Sequence, residues 1–159
     1  MRTRRAATRI AIAGVGVGLV VCLSAGLVAA RPAGRATDGG PLTWRRELLS
    51  MMNEARAEAR LPMFRINRGL SGAAMAHTRR MIAERRVFQT AGVDALVEPY
   101  GATLWAEELA RGRTLKANLR AWLNNDDTRR HLLDPRMRHA AIGVRFAAGR
   151  YWVTVYLHN

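Results

Sequence analysis

Residues 105–133 constrain the fold of this chain more than any other part of the sequence. They read WAEELARGRTLKANLRAWLNNDDTRRHLL. Thr114 can accept hydrogen bonds from the first free backbone N–H groups of a helix. The apolar residues that follow repeat at i, i+4, i+7 and i+8, the period of a buried helix face. They are Leu115, Leu119, Trp122 and Leu123. This stretch therefore predicts a core helix with a defined start.

Two more helices are predicted upstream. An apolar helical face begins at Trp44, and Pro62 closes that first helix. Asn67 can cap the second helix, in which His77 lies on the apolar stripe. A lone histidine in such a stripe is typical of a packed, hydrogen-bonded core residue. Residues 86–101 show no clear period and are expected to form loop or extended chain.

The C-terminal part predicts two strands, residues 140–146 and 151–157, around an Ala-Gly turn. Aliphatic and aromatic side chains alternate along the second strand. A sheet covered by helices on both faces uses both sets. His139 and His158 lie at the strand edges, and the sequence identifies no partner for either one.

The N-terminal segment indicates export. Four arginines precede an uncharged run over residues 10–30, which ends in the small residues Val28-Ala29-Ala30. Residues 1–30 are therefore predicted to be a cleaved signal peptide or a membrane anchor. Residues 31–41 are rich in Gly, Pro and Ala and predict a flexible tether, which leaves 42–159 as one domain.

Charge and cysteine usage narrow the function further. The 26 basic and 12 acidic side chains give a formal charge of +14, but the adjacent arginine pairs fall on separate predicted elements. Nucleic-acid binding would need clustered bases interleaved with aromatics, so it is not expected. An anionic envelope polymer or a lipid headgroup is the expected partner class. Cys22 is the only cysteine, so the domain is predicted to fold without disulfides.

The order of these motifs resembles the bacterial branch of the CAP superfamily, the secreted domains named after cysteine-rich secretory proteins, antigen 5 and plant pathogenesis-related proteins. That branch shows G-E-N-I-A-x-G, W-M-x-S-P-x-H-R-x-N-I-L and I-G-V-G, followed by an aromatic strand. The likeness extends upstream to Leu48. The matching segments are AEELARG at 106–112, WLNNDDTRRHLL at 122–133, IGVRF at 142–146 and YWVTVYL at 151–157. The resemblance implies an α+β fold, an α-β-α sandwich of three or four helices around a small antiparallel sheet.

The resemblance also indicates which positions line the family's central cavity. They are Gln89, Thr90, Glu107, Glu108, Thr128, Arg129 and His131. Glu107 matches the family's glutamate. Gln89 or Thr90 stands in place of its first cavity histidine, and Thr128 in place of the second. Adjacent carboxylates in a strand point to opposite faces, so at most one should enter the cavity. Without imidazole partners, Glu107 is expected to meet an arginine or backbone N–H groups of a neighbouring turn.

The remaining histidine of this region is expected to be superficial. His131 lies one helical turn beyond Thr128, beside Arg130 and Arg138. A metal centre needs three or four suitable ligands, and the matched positions offer Glu107 with neutral oxygens. The resemblance therefore implies neither a metal nor a cofactor, and no catalytic residue.

Three functions follow as hypotheses. The first is an exported, monomeric, non-enzymatic domain that acts at the cell envelope or outside the cell by binding a lipid-like or anionic ligand or a protein partner. The second is a divergent envelope hydrolase using Glu107, although Ser50 and Ser71 lie within predicted helices and no histidine is placed to activate them. The third is a membrane-tethered interaction module that retains residues 1–30.

Overall fold

The computed structural model of the chain describes residues 39–159. The predictions for residues 1–30, for most of the tether and for Cys22 lie outside these residues. Within 39–159 no helix combines the length and the apolar character that crossing a bilayer requires.

Five α-helices and four strands make up this part of the chain. In chain order they are α1 Pro41–Glu58, β1 Arg65–Ile66, α2 Arg68–Ala83, α3 Val93–Val97, β2 Trp105–Gly112, α4 Leu115–Leu123, α5 Asp126–Leu132, β3 His139–Ala147 and β4 Arg150–His158. A 3₁₀ turn, Glu98–Tyr100, follows α3. The expectation of an irregular segment at 86–101 was thus wrong in part, because Val93 and Val97 anchor a short helix to the core.

The helix starts follow the capping residues. Asn67 accepts from the backbone N–H of Leu70, and Thr114 accepts from that of Ala117, both at 3.0 Å. These two predicted caps are confirmed. The side chain of Asn125 caps α5 in the same way, by accepting from backbone N–H groups of its first turn. Only two residues separate the end of α4 from the start of α5.

The four strands form one sheet in the order β1-β3-β4-β2. β4 pairs antiparallel with both β2 and β3, and the β3–β4 turn uses Ala148 and Gly149 at φ 48° and 70°. β1 adds a parallel two-residue pairing to β3, so the sheet is mixed rather than purely antiparallel.

Helices cover both faces of the sheet, as the resemblance implies. Side chains of α1, α4 and α5 pack with Ile142, Val144 and Val155 on one face. Side chains of α2 and α3 pack with Ala141 and Tyr156 on the other. The result is an α-β-α sandwich, and neighbouring residues of each central strand belong to different cores.

Candidate functional site

Glu107 points from β2 into the core beneath α2. Its side chain is only 5% exposed, and both carboxylate oxygens accept from the backbone N–H of Thr90, at 3.1 and 3.0 Å. Burial raises the pKa of Glu107, while the Thr90 hydrogen bonds, His77 and Arg80 oppose that rise. The expectation that a backbone N–H of a neighbouring turn meets this carboxylate is confirmed.

The side chains around Glu107 are bonded to each other rather than directed at an open space. The Thr90 hydroxyl lies 2.7 Å from the Tyr156 hydroxyl, and burial raises the pKa of Tyr156 to about 12. Gln89 is exposed and does not take part. Of the two residues that the sequence offered for the first histidine position, Thr90 is the one that contacts Glu107.

His77 lies close to Glu107 without bonding to it. Its Nε2 is 4.0 Å from the carboxylate but 2.8 Å from the carbonyl oxygen of Phe88, to which Nε2–H donates. Arg80 donates to Nδ1 at 3.2 Å, so both ring nitrogens are used. His77 is fully buried, and the prediction of a packed, hydrogen-bonded core histidine is confirmed.

Glu108 points to the opposite face of the sheet, towards α5. It is 0% exposed, and its Oε1 accepts from Nδ1 of His131 at 2.7 Å. Its Oε2 has no hydrogen-bond partner among the described residues. Burial raises the pKa of Glu108, and its bond to His131 opposes that rise. Both carboxylates are thus buried, in separate cores.

The position of His131 corrects the sequence-based expectation. The His131 side chain is only 24% exposed and is not a surface residue, because α5 is oriented so that this side chain packs on β2. With Nδ1–H donated to Glu108, Nε2 is the nitrogen that remains for another partner. Neither Arg130 nor Arg138 takes part in this contact; Arg130 pairs with Asp127.

The two remaining matched positions do not reach either carboxylate. The buried Thr128 hydroxyl donates to the carbonyl of Trp122, which ties α5 to the end of α4. Arg129 is exposed on the outer side of α5. Within residues 39–159 no group of three or more His, Cys, Asp or Glu side chains is arranged to hold a metal ion. The donor set therefore does not fit a metal centre.

A shallow groove of about 710 Å³ lies outside this region, between α5 and the start of β3. Its apolar lining comes from Leu133 and Pro135, and its charged rim includes Arg129 and Arg130. It is also lined by Asp126, Asp134 and Arg136. Arg136 pairs with Asp134 and lowers the pKa of that carboxyl, so part of the positive charge is neutralised.

Comparison with known proteins decides the family. The family model described as CAP, the cysteine-rich secretory protein family, matches residues 49–156. The chain belongs to the CAP family. No curated protein matches it.

Several solved structures share the CAP fold. An extracellular protein containing an SCP domain from Bacillus anthracis is 17% identical, with a TM-score of 0.62 over 75% of this chain and 41% of that chain. An outer surface protein from Borrelia burgdorferi is 20% identical, with a TM-score of 0.63 over 71% of this chain and 89% of that chain. A cysteine-rich secretory protein from Staphylococcus aureus is 17% identical, with a TM-score of 0.63 over 81% and 41%.

At these identities the likeness shows the fold alone. This CAP chain spans about two fifths of the Bacillus and Staphylococcus chains. The Bacillus protein is an extracellular protein, and the Borrelia protein is an outer surface protein.

Sequence reasoning missed the contact between Glu108 and His131. The signal was present, since the i, i+3 spacing from Thr128 places His131 on an adjoining part of the same helix surface. The sequence does not specify the angle at which α5 packs on β2, and this angle decides the contact. The stacking of His139 on His158, with ring centroids 4.8 Å apart, was missed for the same reason, because it depends on the register of β3 against β4.

Proposed function

We propose that this CAP domain is exported and acts at the cell envelope or outside the cell by binding, without catalysing a reaction. The observation that carries the proposal is the closure of Glu107, whose two oxygens share the Thr90 N–H in a site that is almost fully buried. A carboxylate in that state is not available to a substrate or to a metal.

The hydroxyl groups that a hydrolase would need support the same proposal. Ser50 donates to Glu54 within α1, and Ser71 donates to the carbonyl of Asn67 while accepting from the Ile142 N–H. Thr128 is bonded to the end of α4. Each of these hydroxyl oxygens forms a hydrogen bond that supports the fold, and none is hydrogen-bonded to a histidine that could activate it.

The groove beside α5 is the place we propose for a ligand. Leu133 and Pro135 provide an apolar surface, and the Arg129 guanidinium has no ion-pair partner among the described residues. A lipid-like molecule with an anionic head would match that combination, with Arg129 and Arg130 at the head. A protein partner that presents an acidic, partly apolar segment is the alternative occupant. The extracellular and outer-surface descriptions of the structural relatives support the location.

Zinc addition tests the non-catalytic, metal-free part of the proposal. We expect the melting temperature of the purified chain to stay unchanged when zinc is added, because binding to the folded state alone would raise it. Glu107→Ala and Glu108→Ala are measured in parallel. A rise of several degrees that disappears in either variant would overturn the proposal.

One observation favours a second candidate, an envelope hydrolase. Glu108 orients His131 through Nδ1, which leaves Nε2 of this 24% exposed side chain to take a proton from water. If this pair works as a general base, hydrolysis of a panel of ester, amide and glycoside substrates should occur and should vanish in His131→Asn. If wild type and His131→Asn are equally inactive throughout the panel, this candidate fails.

A further inference from the structure

Three arginines from three different strands lie near one end of the sheet. Arg111 on β2 and Arg145 on β3 are both in register with Trp152 of β4, one on each side. Arg150 lies two residues before Trp152 and so points to the same face. With strands about 4.8 Å apart, Arg111 and Arg145 have Cα atoms roughly 10 Å apart. We call these three residues the arginine ladder.

The arginine ladder has no neutralising partner in the described part of the chain. None of its guanidinium groups forms an ion pair or a side-chain hydrogen bond there. The nearest carboxylate of β2 on this face is Glu107, four residues from Arg111, and it is buried against Thr90. Arg86 and Arg136, by contrast, each pair with an adjacent acid.

Trp152 holds one member of the ladder, Arg111, in place. Its indole N–H donates to the carbonyl of Ala147, and the Arg111 guanidinium lies over its ring, 4.6 Å from the centroid. A guanidinium stacked on an aromatic face still directs its N–H groups outward in its own plane. Arg111 is therefore held with its donors free for a bidentate contact with phosphate or carboxylate.

The shape of this surface fits a linear polyanion better than a membrane. A protein that docks on a bilayer inserts exposed apolar side chains between the headgroups. Here the aromatic side chain is 2% exposed and offers nothing to insert. Arg145 and Arg111 lie on either side of Trp152, roughly 10 Å apart, and Arg150 lies two residues before it on β4. Three positive charges spread over three strands in this way instead match an elongated ligand with repeated negative charge.

We propose that the arginine ladder is a docking surface for a linear, phosphate-bearing polymer outside the cell. The surface is separate from the groove beside α5, so it goes beyond the ligand site proposed above. Each arginine contacts a phosphate group through its N–H edge, and contact is sequence-independent and sensitive to salt.

Binding of inorganic polyphosphate to the full-length chain tests this inference. We compare wild type with the triple variant Arg111→Gln, Arg145→Gln and Arg150→Gln. The matched control is Arg60→Gln, Arg65→Gln and Arg120→Gln, which removes the same charge from exposed arginines on α1's end, β1 and α4. Melting temperatures establish that all three proteins are folded.

We expect the ladder variant to lose at least about tenfold in affinity and the control to lose much less. For three phosphate contacts on a single chain, the slope of log K against log salt should be about −2 in wild type and close to zero in the ladder variant. Equal weakening in both triple variants would mean unspecific charge attraction and would overturn the inference, as would the absence of polyphosphate binding at low salt.

Phosphatidylglycerol vesicles and double-stranded DNA form the other arms. Ladder-dependent binding to vesicles without binding to polyphosphate would overturn the polymer in favour of a membrane, and tighter ladder-dependent binding to DNA would replace it with a nucleic acid. These outcomes leave the zinc result unaffected, so failure here is distinguishable from failure of the non-catalytic proposal.

Discussion

Arg56 is a charged residue that the core encloses completely, with 0% of its surface exposed. Its guanidinium donates to the backbone carbonyls of Pro62, Leu132, Asp134 and Met137, at 2.7 to 3.1 Å. The guanidinium carbon also lies 4.0 Å from the centroid of the Phe64 ring. Burial lowers the pKa of Arg56. One side chain thus ties the end of α1 to the connection between α5 and β3.

Replacing Arg56 by methionine should destabilise the fold strongly. Methionine fills much of the space but leaves four carbonyl groups without the donor that Arg56 provides. Each unsatisfied buried carbonyl costs about 1–3 kcal/mol, and water that enters the site can satisfy some of them. We expect the free energy of unfolding in urea to fall by at least about 3 kcal/mol. Arg60→Met, at an exposed position four residues away, is the control and should change it by less than about 0.5 kcal/mol. Equal losses in both variants would show that the four bonds add no stability.

Glu108 makes the stability of the domain depend on pH. Because burial raises the pKa of this carboxyl above its ordinary value of 4.5, the folded state holds its proton more tightly than the unfolded state does. The resulting stabilisation is complete below 4.5 and is lost as the pH rises through the folded pKa. The titratable groups that act on Glu108 are His131 and Asp127 on α5, which lie on its own side of the sheet, and Glu107, which lies across the sheet.

Glu108→Gln should therefore gain stability relative to wild type as the pH rises. Glutamine keeps an oxygen that accepts from His131 but carries no charge. We expect the difference in unfolding free energy to grow from about pH 4.5 upwards and then to level off, in urea titrations at successive pH values. His131→Asn, which keeps a donor to Glu108 but cannot ionise, separates the contribution of the imidazole. A difference that does not vary with pH would contradict this account.

At the scale of elements, α2 and β3 lie backbone to backbone at Gly143. A Cβ atom on Gly143 would lie 2.4 Å from the backbone carbon and oxygen of Ala74. Backbone atoms of a packed helix cannot move aside as a flexible side chain does. Gly143 belongs to the Ile-Gly-Val segment that the sequence matched to the family, and the structure gives the physical reason for a glycine there.

Gly143→Ala and Gly72→Ala should change stability in opposite directions. The first forces α2 away from the sheet and is expected to cost about 1–3 kcal/mol or more. The second lies on the open side of α2, where a Cβ meets nothing within 4 Å, and should add about 0.5–1 kcal/mol through helix propensity. Urea unfolding followed by tryptophan fluorescence measures both. If Gly143→Ala is as stable as wild type, the interface between α2 and β3 is loose and the prediction fails.

At the scale of the whole molecule, the CAP sandwich must be stable without disulfides, since residues 39–159 contain no cysteine. Its stability comes from two cores on either side of one sheet and from buried polar groups such as Arg56. We expect the thermal midpoint to be the same with and without a thiol reductant. Cys22→Ser is the control for intermolecular pairing. A fall in the midpoint on reduction that persists in this variant would contradict the prediction.

The candidate site was predicted in its parts but not in its pairings. The alternation of a strand was enough to send Glu107 and Glu108 to opposite faces, and the family motifs placed Thr128, and either Gln89 or Thr90, among the cavity positions. The structure shows that Thr90 contacts Glu107 and that Thr128 bonds to the end of α4. Which imidazole would meet which carboxylate depends on the angle between α5 and β2, and no local pattern specifies that angle.

The sequence by itself determined the local elements and the family, because helix period, strand alternation and end caps such as Asn67 act within a few residues. The tertiary structure alone decided the bond between Glu108 and His131, the enclosure of Arg56 and the placement of Arg111 and Arg145 on either side of Trp152. These groups are separated by up to 81 residues along the chain. Their contacts follow from strand register and helix packing, which depend on the two cores as a whole.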